Sequence, residues 1–366
     1  MRVLVMGGTQ FNGLALVHRL VAEGHDVTVC NRGRTESDIP DSVARVVADR
    51  TDHDRLRDVL GGTEWDCVQD MSAYHPEDVD IMMELFRDRI GHYVFASSTV
   101  TYASKDTPIT EDDPDERGET QIEYGYHKIL CEERLFAAHA EYGFPATTVP
   151  FSMVLGPHNA MTDREQRMFA RLRDGRPILI PGDGSTRLQV GDVDDQARAL
   201  VALMGNGSTH GRRYNLTGIE SVTRNEYVAL AAQAVGVEAD IRHIPPDLME
   251  SLWTGERSID IAAASGALNV RSSERAQKEQ TAGPRALLRT RFMLCINLVQ
   301  HLAPNVHWWD QDTSFSIDRL RADTEWVPQE NTASMLVKAH EWWANSTNAG
   351  FDYDWTTEDQ ILAQFD

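Results

Sequence analysis

Two hydrophobic patterns alternate along the first half of the chain. Short, nearly continuous apolar runs are one: Val3-Leu4-Val5, Asp26 to Cys30, Val46-Val47-Ala48, Trp65 to Asp70 and Tyr93-Val94-Phe95-Ala96. Runs of this length and β-branched content are what strands buried on both faces of a parallel sheet show. Helical spacing is the other. It appears in Leu14, Val17, Leu20 and Val21, then over 53–60, over 77–89, and from Tyr124 to Tyr142. Strands and helices that alternate, apart from the second and third strands, predict the α/β class. The expected fold is a Rossmann doubly wound parallel sheet over residues 1–165, with a smaller α/β C-terminal substrate domain over 166–345 and an acidic tail over 346–366.

The turn between the first strand and first helix is Met6-Gly7-Gly8-Thr9-Gln10-Phe11-Asn12-Gly13. Glycine permits positive φ and lets backbone N–H groups approach a diphosphate, and the helix that follows directs its positive end at that anion. Gly7, Gly8, Gln10, Phe11 and Gly13 are therefore expected to bind the cofactor. The spacing is not the common G-x-G-x-x-G. The second strand ends in Asn31-Arg32-Gly33-Arg34. A carboxylate there would hold the ribose 2′-OH of NAD, whereas a basic residue accommodates a 2′-phosphate. Asn31 and Arg32 thus lean toward NADP(H) within the NAD(P) class; a surface arginine is the plainer alternative. Ser72 stands in the loop after the fourth strand, at the strand ends where such sheets bind ligands.

Composition narrows this picture. The 366 residues, 41% hydrophobic and 25% charged, suffice for one large or two medium domains. No apolar stretch reaches transmembrane length. The first strand starts at residue 2, which leaves no room for a signal peptide, so a cytoplasmic protein is expected. Cys30, Cys67, Cys131 and Cys295 are far apart, as buried thiols in a reducing compartment would be, and no metal site is expected. The net charge is −22, and Lys105, Lys128, Lys278 and Lys338 are the only lysines. Such a surface suits high salt, where self-repulsion is screened, and it argues against nucleic-acid binding.

The fifth strand runs into Ser97-Ser98-Thr99-Val100-Thr101-Tyr102, and Tyr124-Gly125-Tyr126-His127-Lys128 opens the next helix. Tyr124 and Lys128 are i and i+4 and share a helix face. An ammonium beside a phenol favours the phenolate and makes the tyrosine a usable acid and base. The hydroxyl of Ser98, with Thr99 as the alternative, would hold the substrate oxygen against that phenol. An exposed Tyr and Lys on a helix are common, but this lysine is one of four that survive in the chain. Arginine, with its charge spread over a plane, would replace it poorly.

On these residues the chain resembles an extended, atypical short-chain dehydrogenase/reductase of the NAD-dependent epimerase/dehydratase family. Gly7, Gly8 and Gly13 match the cofactor loop, Ser98 the active-site hydroxyl, and Tyr124 and Lys128 the catalytic pair. Further similar segments are Thr110 to Pro114, Met153 to Pro157, Pro181 to Ser185, Gly191 to Asp195, Tyr214-Asn215-Leu216 and Glu325 to Pro328. The G-G-T-x-F-x-G loop is similar to that of a branch with plant chloroplast RNA-binding relatives. The resemblance implies that Asp49 meets the adenine edge, although Asp49 could equally cap the helix over 53–60. It places Arg187 within one residue of a diphosphate-binding arginine, and it implies a homodimer. Three departures stand out. Gln10 replaces a glycine, Pro150-Phe151 replaces a common Arg-Pro, and the Thr-Asp-Glu run of 4,6-dehydratases is missing after Ser98.

Residues 271–312 look like an insertion. Arg271, Arg275, Lys278, Arg285, Arg289 and Arg291 make part of it basic, and an apolar run from Phe292 to Val299 follows. The segment reads either as a helical flap or as a lid or contact surface for an anionic substrate, partner or membrane face. The expected function is an NAD(P)-dependent epimerase or oxidoreductase acting on a sugar, nucleotide-linked, through a Ser/Thr-Tyr-Lys site. The alternatives are a reductase of a non-sugar alcohol or ketone, and a non-catalytic cofactor-holding or RNA-associated protein.

Overall fold

A computed structural model describes residues 1–118, 121–260 and 309–365. The chain begins with β1 (Arg2–Met6), α1 (Phe11–Ala22), β2 (Asp26–Asn31), β3 (Ala44–Val47), α2 (His53–Leu60), β4 (Cys67–Asp70), α3 (Pro76–Phe86), β5 (Tyr93–Ser98), α4 (Glu123–Tyr142), β6 (Ala146–Phe151) and β7 (Met153–Leu155). Next come α5 (Glu165–Arg173), β8 (Ile178–Pro181), β9 (Arg187–Asp192), α6 (Val193–Leu203), β10 (Arg212–Arg213), β11 (Ser221–Thr223), α7 (Arg224–Val235), β12 (Ile241–Ile244) and α8 (Pro246–Thr254). The last described helices are α9 (Asp318–Thr324), α10 (Thr332–Ala344) and α11 (Thr356–Leu362).

The chain divides into two compact units. The first holds Met1–Val154, Gly191–Ile219 and Phe315–Gln329; the second holds Leu155–Val190, Glu220–Ser314 and Glu330–Asp366. The first is built on a seven-stranded sheet ordered β10-β6-β5-β4-β1-β2-β3, with every pairing parallel. Its inner strands are buried along their length because helices cover both faces. On one face α1 and α6 pack Leu16, Val17, Ala197 and Leu200 against Val3, Val5 and Val94. On the other, Val79, Met82 and Leu135 of α3 and α4 cover Leu4, Val68 and Phe95. This is the doubly wound sheet that the alternating pattern predicts. The strand order reverses at β1, whose neighbours are β2 and β4. A crevice therefore opens at the carboxyl ends of β1 and β4, where this class binds its ligands.

Several boundaries differ from the sequence reading, each for a local reason. Asp49 does not cap α2. The cap is Asp52, whose carboxylate accepts the Arg55 N–H at 3.0 Å, while Asp49 accepts from Thr51. Helix α3 stops at Phe86 instead of residue 89, because Arg87 turns extended and Asp88 sits at φ 61°. The run from Trp65 shortens to Cys67–Asp70, with Trp65 forming a single bridge to Ile90.

In the second unit β8 pairs with β12 in parallel, and β9 pairs with β11 antiparallel. Leu179, Ile244, Leu248, Trp253, Trp309 and Ile361 form a core. The acidic tail is docked within this unit: the Tyr353 hydroxyl donates to the Thr162 carbonyl at 2.8 Å. Of the expected insertion, residues 271–308 lie outside the described residues. Cys295 is among them; Cys30, Cys67 and Cys131 are free and buried. Among the described residues no helix is long and apolar enough to cross a membrane.

Candidate active site

The loop after β1 is shaped by its glycines. Gly7 and Gly8 adopt φ of 105° and 82°, and a Cβ on Gly13 would lie 2.9 Å from the Gly8 nitrogen. Only glycine lets this turn close so tightly onto the start of α1. Gln10 is exposed and is the N-cap of α1, yet its side chain makes no capping bond. The Gly13 N–H goes to the Gln10 carbonyl at 3.1 Å, and no capping side chain competes for the amides ahead of it, which suits a diphosphate at a helix N-terminus. Phe11 starts the helix at φ 41° and is buried in the core. At the end of β2, Asn31 accepts the Gly33 N–H at 2.8 Å, and its own amide reaches the Gly7 carbonyl at 3.5 Å. Arg32 is exposed just beyond. Asp49 is half-buried past β3. These residues fit a dinucleotide: a tight glycine turn at a helix N-terminus, with a basic and not an acidic side chain just past the end of β2.

Ser72 lies beside Gly7, whose added Cβ would stand 3.4 Å from that of Ser72. Its hydroxyl is held by the Arg50 guanidinium at 2.8 Å. Arg50 was not singled out by the sequence, yet it is the hub of a buried cluster. It binds both carboxylate oxygens of Asp70, at 2.8 and 2.9 Å, and the Asp78 carbonyl at 3.0 Å. Its Nε lies 3.1 Å from the Asp78 carboxylate. The Tyr93 hydroxyl donates to Asp70 at 2.6 Å. Burial works against an ionised Asp70, but the Arg50 charge and hydrogen bonds overcome it and hold the carboxyl below its usual range. A usable signal was present in the sequence: an Asp closes strand β4 in the middle of the sheet, where an unpaired charge could not be buried.

Ser98 is the last residue of β5, and its Oγ accepts the Val100 N–H at 3.4 Å. Thr99, the alternative hydroxyl, is buried in the short turn that follows. The Gln121 side chain donates to the Val100 carbonyl at 2.9 Å and so ties the approach to α4 to that turn. Tyr124 lies in the first turn of α4, half-buried, its ring 5.4 Å from that of Tyr74. Lys128 is 4% exposed. Its ammonium donates to the Ala73 carbonyl at 2.7 Å and to the Ala96 carbonyl at 2.6 Å. It sits 5.6 Å from the Tyr124 ring centroid and 4.6 Å from that of Phe95. The cation is thus buried against neutral acceptors and two rings, directed along the face that carries Tyr124. Such an arrangement can deliver and accept a proton at an oxygen in the crevice.

Arg187 belongs to the second unit. It starts β9, is exposed, and donates to the Ser221 carbonyl at 2.5 Å.

The chain is similar to several known proteins. The chloroplast stem-loop binding protein of 41 kDa b from Arabidopsis thaliana is 29% identical over 263 residues, covering 67% of this chain and 66% of that protein. The match thus spans just under two thirds of that relative's length. The 2′-dehydrokanamycin reductase of Streptomyces kanamyceticus is 26% identical over 265 residues, covering 71% and 72%. Among solved structures, a UDP-glucose 4-epimerase from Thermotoga maritima, with UDP-glucose, shares the fold at TM-score 0.67 and 16% identity, covering 94% and 99%. The model of the NAD dependent epimerase/dehydratase family matches residues 3–217, more than half of the chain, and the chain belongs to that family.

Proposed function

We propose that this protein is an NAD(P)-dependent epimerase or oxidoreductase acting on a nucleotide-linked sugar. The observation that carries the reading is Lys128, buried on two carbonyls 5.6 Å from the Tyr124 ring, one strand end away from Ser98. The dinucleotide, when bound, supplies reversible two-electron chemistry at its nicotinamide. The glycine loop and the N-terminus of α1 hold its diphosphate. Asn31 and Arg32 favour the 2′-phosphate form, NADP(H), and Asp49 faces the adenine. Ser98, or Thr99 in its place, orients the substrate oxygen. Tyr124 takes the proton from that oxygen, or returns it, and Lys128 stabilises the phenolate in between. The same reading includes a cytoplasmic homodimer, for which Tyr126, 45% exposed on α4, offers a contact.

The similarity to 2′-dehydrokanamycin reductase favours, as the second reading, net reduction of a carbonyl with an exchangeable cofactor. RNA association draws no support from a net charge of −22.

The test is mass spectrometry of small molecules released from freshly purified protein, followed by turnover on a panel of nucleotide sugars. A bound or bindable dinucleotide is expected. NAD in place of NADP would overturn the role given to Asn31 and Arg32. Tyr124→Phe should lower turnover at least about 100-fold, and leave stability within about 0.5 kcal/mol. Protein that binds no dinucleotide, or full turnover by Tyr124→Phe, would sink the proposal.

A further inference from the structure

The loop that follows β4 has an unusual support. Residues 72–75 have left the sheet, so their amides have no strand partner. Two carboxylates take all four. Asp70 accepts the N–H groups of Ser72 and Ala73, at 3.1 and 2.9 Å. Asp78 accepts those of Tyr74 and His75, at 2.8 and 3.0 Å. Two buried carboxylates this close would repel each other and open the loop. Arg50 lies between them, 3% exposed, with a doubly bonded contact to Asp70 and its Nε on Asp78.

The loop carries one of the two carbonyls that hold Lys128. The other, Ala96, belongs to β5 and is fixed by its pairing with Val149 of β6. Ala73 has no such support; its place depends on the carboxylates that anchor its loop. Lys128 therefore has one anchor set by the sheet and one set by the Arg50 cluster.

We propose that Arg50 is a positioning residue for the catalytic pair: by bridging Asp70 and Asp78 it fixes the 72–75 loop, and through the Ala73 carbonyl it sets where the Lys128 ammonium stands. The inference rests on the function proposed above for Lys128, but its readout is independent of activity. Arg50 also grips Ser72 beside Gly7, so the same cluster reaches the cofactor loop.

The scarcity of lysine makes a clean test. Reductive methylation with formaldehyde and cyanoborohydride labels amines, and peptide mass spectrometry reads each lysine separately. In the native protein the exposed Lys105 should label fast and the buried Lys128 slowly. In Arg50→Met, labelling of Lys128 should rise at least 10-fold, while Lys338 of the second unit, paired with Glu330, keeps its rate. The fluorescence-detected Kd for NADPH should weaken in parallel, by roughly 10-fold. A merely structural role would raise Lys128 and Lys338 together as the whole chain loosens. Should Arg50→Met fail to fold, Asp78→Asn keeps the Arg50–Asp70 pair and should give a smaller rise, about 3-fold, confined to Lys128. Unchanged Lys128 protection in a folded Arg50→Met, or in Asp78→Asn, would overturn the proposal. The fate of the catalytic reading is decided separately, by Tyr124→Phe.

Discussion

Two buried arginines, one in each unit, hold a carboxylate with two bonds, and they serve different ends. Arg50 and Asp70 are 3% and 0% exposed; Arg167 and Glu358 are 0% and 2% exposed. The first pair joins positions 20 residues apart and supports a loop at the crevice. The second joins positions 191 apart and fastens the end of the chain to α5. Arg167 bonds both Glu358 oxygens at 2.8 Å and the Asp354 carbonyl at 2.7 Å, and it lies 4.7 Å from the Trp355 ring centroid. Arg171 is 3.5 Å from the same Glu358 carboxylate. Equal burial and equal geometry therefore do not mean equal roles. What each pair holds decides its role: a carbonyl that touches the buried Lys128 ammonium in one case, the closure of a core in the other.

The sharpest way to separate them is to break the second. Removing one partner of a buried pair typically costs about 3–5 kcal/mol, because the other charge is left unpaired. Glu358→Gln should fall in that range, since it takes the carboxylate from Arg171 and leaves Arg167 with Asp163 at 3.5 Å. Burial already pushes the Arg171 guanidinium down to about 10, with Glu358 as its main support. Urea unfolding should show the loss, and limited proteolysis should clip the tail after Ser346. Lys128 labelling and turnover of the folded fraction should stay at native values. If Glu358→Gln changed the Lys128 rate, the two clamps would be one network and the contrast would fall.

That contrast was not visible in the sequence, while much else was. Strand and helix order could be read through α4 because buried parallel strands and their helices leave periodic apolar traces. Tyr124 and Lys128 could be read because a helix fixes the direction of i and i+4. Buried ion pairs leave no such trace: Arg50 looks like a turn residue, and Asp78 like a first-turn helix acid. Helix α5 misleads for the same reason. Glu165, Gln166, Arg167 and Arg171 are all buried, though their polarity suggests a solvated face. Strand β10 is only Arg212–Arg213, two charged residues recruited by pairing with β6, and no pattern could announce it. Arg187 stayed a matter of resemblance, because nothing in its spacing fixes what its side chain meets.

Acid sharpens the comparison next. His92, at the other end of the sheet from the site, accepts the Gly205 N–H on Nδ1 at 3.2 Å. Its Nε2 lies 2.8 Å from the Thr147 hydroxyl, which donates onward to the Thr209 carbonyl at 2.8 Å. That chain requires the neutral ring, and burial pushes the His92 pKa down to about 3. The unfolded chain takes up this proton near pH 6.5. The folded state resists it, so stability is complete above pH 6.5 and falls as pH drops toward about 3. Asp70 adds to the loss only below about pH 4, where the unfolded carboxyl protonates first. The urea midpoint should therefore decline between pH 6.5 and 4, by an amount of order a few kcal/mol in stability. His92→Gln should lessen that decline, to which the partial burial of His127, His210 and His340 also contributes, whereas Glu358→Gln should keep its slope. A slope left unchanged in His92→Gln would shift the acid sensitivity to some other group.

Salt should produce the smallest effect and the most even one. With 57 acidic residues against 35 basic ones, carboxylates outnumber cations by 22. Exposed pairs do exist, such as Arg57–Glu84 at 2.7 Å with both side chains about half exposed, but solvent screening leaves each contributing little. Raising KCl from 0.1 to 1 M shortens the screening length from about 10 Å to about 3 Å. Repulsion summed over a net −22 then weakens more than the few exposed pairs do, so the thermal midpoint should rise by some degrees. Buried pairs are screened far less, and neither arginine clamp should contribute to the rise. The increment should therefore be the same in the native protein, in Arg50→Met and in Glu358→Gln. A midpoint that ignored salt would remove the case for a salt-adapted surface. An increment lost in Glu358→Gln alone would show that water and ions reach the second clamp, and that its burial is less complete than that of Arg50.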